Sequence, residues 1–89
     1  MMDYIRIYFN LTDDQYNHLT TQQKQILDYI AAFGSISTME AFYDLGNTKL
    51  STRISEMRDL GIQFDQAYES RVNRFGRKTR YMRYRKAAA

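Results

Sequence analysis

Apolar residues recur at helical spacing in three stretches of the chain and alternate with polar residues in three others. Ile26, Leu27, Ile30 and Phe33 share one face of a helix expected over residues 22–33. Thr20 or Thr21 stands where a cap is needed, and Gly34 where a left-handed stop is needed. Ser37-Thr38-Met39-Glu40 then has the form of a capping box, opening a two-turn helix marked by Met39, Phe42, Tyr43 and Leu45. Leu45-Gly46-Asn47 breaks that helix. Leu50, Ile54, Met57 and Leu60 form one stripe on a third helix over residues 48–60, with Asn47 or Thr48 as its cap and Gly61 as its end.

The alternating stretches read as strands. Ile62 and Phe64 alternate with Gln63 and Asp65, residues 78–85 form a second strand, and Asn73-Arg74-Phe75-Gly76 is the turn between them. In that second strand Met82 with Tyr84, or Tyr81 with Arg83, makes a plausible buried set. Near the start, Ile5, Ile7 and Phe9 alternate along residues 4–9, which predicts a further strand. Thr12-Asp13-Asp14-Gln15 then suits the start of a short helix. Such a strand must find a partner, in this domain or in a second copy, so this arm is a candidate homodimer or array contact.

The order is therefore an arm over residues 1–19, then three helices and a hairpin over 20–86, with Ala87, Ala88 and Ala89 reading as a cloning remnant. Helix, helix–turn–helix and hairpin together are an α+β fold, the winged helix-turn-helix arrangement: a three-helix core with a C-terminal β-hairpin wing.

Charge sharpens the picture. The 89 residues carry a net charge of +3, but this average hides a division. Residues 1–70 hold 5 basic and 10 acidic side chains, a net of −5, whereas residues 71–89 hold 8 basic and no acidic ones. Such a run repels itself unless a polyanion or an acidic surface neutralises it. Val72, Phe75, Tyr81, Met82 and Tyr84 are interleaved with the charges, which favours a folded ribbon over a solvated tail.

Composition excludes much chemistry. Cys is absent and His18 is the only histidine, so zinc ribbons, thiol catalysis and a histidine-based triad within one chain are out. His18 reads as a surface residue, and Asp13-Asp14 as compensation of a helix dipole rather than an acid–base pair. No enzyme, cofactor or metal site is expected. No apolar run approaches the ~20 residues of a membrane span, so the expected setting is the cytoplasm.

Several stretches carry a more specific likeness. Gln25-Ile26-Leu27-Asp28-Tyr29-Ile30 with Phe33-Gly34-Ser35-Ile36-Ser37 resembles the first helix and turn of a family of small phage-type winged helix-turn-helix proteins. Met39-Glu40-Ala41-Phe42 with Leu45-Gly46, the run from Leu50 to Gly61, and Asn73-Arg74-Phe75-Gly76-Arg77-Lys78 with Arg80-Tyr81 and Arg83-Tyr84 continue the likeness. It covers roughly residues 22–86. The resemblance implies a winged-helix fold and binding of double-stranded DNA in phages, prophages or related mobile elements of a bacterial host. It does not separate a transcriptional regulator from an excision factor.

On the third helix the face opposite the apolar stripe carries Thr48, Ser51, Thr52, Ser55 and Asp59, flanked by Lys49 and Glu56 on one side and Arg58 on the other. Short hydroxyl side chains let a helix lie deep in the major groove, and Thr48, Lys49, Ser51 and Thr52 stand nearest its leading end. Arg53 borders the stripe, suited either to a pair with Asp44 or Glu56 or to a phosphate contact. Arg71, Arg74, Arg77, Lys78 and Arg80 suit the phosphate backbone or the minor groove. Phe75 at the turn is either an anchor folding the hairpin back or a wedge for a base step. An alternative is a protein-interaction module whose basic hairpin docks on an acidic partner.

Overall fold

The computed structural model describes residues 4–88; residues 1–3 of the expected arm and Ala89 of the alanine tail lie outside the described residues. Five helices and three strands follow in chain order: α1 (Tyr4–Tyr8), α2 (Asp13–Asn17), α3 (Thr21–Phe33), β1 (Ile36–Ser37), α4 (Thr38–Leu45), α5 (Leu50–Asp59), β2 (Phe64–Val72) and β3 (Lys78–Lys86). The strands form one antiparallel sheet in the order β1-β3-β2, so the long hairpin is clamped at its base by the two-residue β1.

Capping sets most boundaries. Thr20, Ser37 and Thr12 each close a capping box, with Gln23, Glu40 and Gln15 respectively, and so satisfy amides that the first helical turn leaves open. Gly46 ends α4 at φ 64°, a left-handed conformation that costs a residue with a Cβ about 1 kcal/mol or more. Helix α5 starts two residues later than expected, because Asn47 accepts the Lys49 N–H at 2.9 Å and holds Thr48 in the turn.

The core lies where α3, α5 and the sheet base meet. Ile26, Leu27, Ile30, Ile36, Leu50, Ile54 and Met57 are buried together, joined by Phe64 and Tyr84 from the hairpin. Of the two candidate inner faces of β3, the one carrying Met82 and Tyr84 turns to the core. Tyr81 and Arg83 take the opposite face, towards the start of α4.

The arm departs from the sequence reading. Residues 4–9 form no strand: Tyr4–Tyr8 is a helical turn, closed by Leu11 N–H to Arg6 O at 2.9 Å and Asn10 N–H to Ile7 O at 3.1 Å, with Asn10 at φ 53°. That is a helix stop of the Schellman type with Asn in the left-handed position. Ile5 is only 2% exposed and belongs to the chain's own core, whereas Ile7, which a strand would bury on the same side, is 61% exposed. The arm is helical and packs on its own domain, so it offers no strand of its own to a second copy, and the dimer contact expected there has no support.

Candidate nucleic-acid interface

Two surfaces carry the residues singled out in the sequence. The first is the leading half of α5. Leu50, Ile54 and Met57 lock the helix into the core, so Thr48, Lys49, Ser51, Thr52 and Ser55 are exposed along its outer side. Lys49 occupies the N-cap position with no side-chain hydrogen bond, leaving the first-turn amides without a side-chain acceptor. Arg53 belongs to a different network: its Nη1 donates to Glu56 Oε1 at 2.9 Å, and Gln23 Nε2 donates to that oxygen at 3.1 Å. Of its two expected roles the structure shows the pair with Glu56.

The second surface is the wing, two nine-residue strands joined by a tight loop. Asn73 builds the tip, its Oδ1 accepting from Phe75 N–H at 2.9 Å and Arg77 N–H at 3.1 Å. Gly76 supplies the φ of 76° that turns the chain back. Phe75 is 81% exposed, so it does not act as an anchor that folds the hairpin back. Arg74, Arg77 and Lys78 are exposed and make no ion pair among the described residues.

Register sorts the remaining cations by face. Directly paired residues share a face, so Ser70 with Arg80 and Val72 with Lys78 continue the side of Phe64 and Tyr84. On that side Arg58, near the end of α5, donates to Phe64 O at 3.1 Å and Gln66 Oε1 at 2.8 Å, and its guanidinium stands 6.0 Å from the Tyr84 ring. Helix α5 and the Lys78–Arg80 side of the wing are thus joined. Arg80 lies 4.4 Å over the Tyr68 ring, held flat along the ribbon. Arg71 is paired with Thr79 on the opposite face, towards α4, apart from the other expected contacts.

Not every cation in the run is available. Arg83 donates to Glu69 at 2.7 Å, to Glu40 at 2.9 Å and to Ser35 at 2.9 Å. Its hydrogen bond to Glu69 raises the guanidinium pKa and lowers that of the carboxyl. Burial pushes the Tyr84 phenol up, consistent with its place under α5. Nothing local to the basic run separates Arg83 from its neighbours, because its acidic partners are 14 and 43 positions away.

Residues 21–86 match the family model of the winged helix-turn-helix domain, and the chain belongs to that family. This is a DNA-binding class of domain, its helix-turn-helix formed here by α4 and α5 and its wing by β2 and β3. Comparisons with curated proteins and with solved structures return no significant match. Among the described residues no helix is long and apolar enough to cross a membrane, and no cluster of acidic or histidine side chains could hold a metal ion.

Proposed function

We propose that this protein binds double-stranded DNA with α5 in the major groove and the wing along the adjacent backbone or minor groove. It would serve a phage or mobile element in a bacterial cytoplasm as a transcriptional regulator or an architectural recombination or excision factor. The observation that supports the reading is the tie from Arg58, near the end of α5, to Phe64 O and Gln66 Oε1 of the wing. A hydroxyl-lined helix face and a row of unpaired cations are linked through Arg58.

The division of labour follows from chemistry. Thr48, Ser51, Thr52 and Ser55 are short enough for close approach to base edges, while Lys49, Arg74, Arg77, Lys78 and Arg80 neutralise phosphates. Five such contacts imply a log–log salt slope of about −4.5. Arg71 and Arg53 stand outside this footprint, one on the far face of the wing and the other paired within α5. The test is a duplex-binding titration with Arg74→Ala plus Arg77→Ala, expected to weaken cognate and random DNA alike. Thr48→Ala plus Ser51→Ala is expected to erode discrimination between them. No shift of any duplex at low salt, with an acidic protein captured in its place, would overturn the reading in favour of a protein-docking module.

A further inference from the structure

Strand β2 is the long edge of the sheet: nine residues with no Pro, paired on one side to β3 and, among the described residues, with no strand on the other. An exposed strand of that length is a template for another strand, which most proteins block with charge or a bulge. Here the charges are arranged as complements. From the pattern of that edge we infer that β2 pairs antiparallel with β2 of a second copy, in a register centred on Tyr68, making a six-stranded sheet across a two-fold axis.

The register follows from the sequence of β2. Centred on Tyr68, each Asp65 lies opposite Arg71 of the second copy, each Phe64 opposite Val72, each Gln66 opposite Ser70, and Tyr68 opposite itself. Shifting the centre to Ala67 sets Asp65 against Glu69, and shifting it to Glu69 sets two glutamates face to face. Half-step registers join unlike faces of the two sheets and oppose no charges of opposite sign. Neither member of the favoured pair is held by a close ion pair among the described residues: Asp65 Oδ2 accepts the Ala88 N–H at 3.1 Å, a bond the pairing would compete with, and Arg71 has only a 4.0 Å approach to Glu69. This also gives Arg71 a role on the side of the wing where DNA contact is not expected.

The two-fold has a consequence for recognition. An axis perpendicular to the sheet through Tyr68 keeps both α5 helices on the same side. The two Phe64 residues, to which Arg58 ties each helix, are eight strand positions apart, about 27 Å at 3.4 Å per residue. That separation is of the order of one duplex turn, as two half-sites of a palindrome require.

Cysteine scanning tests the pairing directly, because the chain has no cysteine of its own. The full-length Tyr68→Cys protein is expected to form a covalent dimer under mild oxidation, since the two-fold brings that position against itself. Gln66→Cys and Ser70→Cys are each expected to remain monomeric alone and to cross-link when mixed. Sedimentation at high concentration is expected to show weak association of the wild type, lost in Arg71→Glu and regained when Asp65→Lys is added, with circular dichroism reporting the fold of each. Cross-linking at Tyr68→Cys no faster than at the exposed Ser51→Cys, or a wild type that is one chain at every concentration, would overturn the pairing. So would a dimer indifferent to Arg71→Glu. None of these readouts uses DNA, so they stand apart from the proposed duplex binding.

Discussion

The Glu40 carboxylate oxygen that accepts the Ser37 N–H at 2.9 Å, closing the cap of α4, also accepts from Arg83 of β3 at 2.9 Å. One atom therefore serves two purposes: it starts the first helix of the helix–turn–helix and it holds the wing against that helix. Glu69 completes the arrangement from β2, so the guanidinium is met by carboxylates of both neighbouring elements. Glu40→Ala is expected to cost about 1–2 kcal/mol by urea denaturation, the range for losing an N-terminal cap with its partner. Glu40→Gln, which keeps an acceptor but not the charge, is expected to fall between wild type and alanine.

Acid acts on the same junction through Glu69. The hydrogen bond from Arg83 holds its carboxyl below the ordinary carboxylate range. A carboxyl depressed by folding stabilises the native state above its ordinary pKa and loses that contribution as the pH falls through the depressed value. The stability advantage of wild type over Glu69→Gln is therefore expected in full at neutral pH and to vanish progressively below about pH 4. Denaturant midpoints of the two proteins across an acid series would check it.

Base acts elsewhere. Tyr29 donates to Asp44 at 2.6 Å, tying α3 to α4, and this bond, aided by burial, pushes the phenol up to about 12. A group raised by folding contributes stability below its unfolded pKa, near 10, and loses it as the pH rises towards 12. Ultraviolet titration of the eight tyrosines is expected to show a late-ionising phenol that returns towards the ordinary value in Asp44→Ala.

The arm should behave as part of the core. Ile5→Ala is expected to destabilise the fold by about 2–4 kcal/mol, as for other buried large-to-small changes. Light scattering is expected to find its mass unchanged from wild type. A stable Ile5→Ala protein with altered mass would return the arm to a role between copies.

How much of this was legible in the sequence depends on the range of the interactions that decide each element. Three capping boxes, the Gly34 and Gly46 stops and the stripe of Leu50, Ile54 and Met57 are set within a few residues, and they give the helices almost to their ends. The arm misled because Ile5 and Phe9, four positions apart, satisfy both the strand and the helix period. Only the burial of Ile5 against α3 and the left-handed Asn10 decide between them. For the site, exposure of Thr48, Ser51, Thr52 and Ser55 follows from the stripe alone. The neutralisation of Arg83, the position of Arg71 on the α4 side and the bare Phe75 do not, because each depends on strand register and on partners distant in sequence.

The most direct test of the central claim is the salt dependence of duplex affinity, measured for wild type and for Arg74→Ala plus Arg77→Ala. Log affinity is expected to fall against log salt with a slope of about −4.5 for wild type, and to be shallower by about 2 in the variant. A slope that the two substitutions leave unchanged, or no duplex binding at low salt, would contradict the assignment of the wing tip and α5 as one DNA-binding surface.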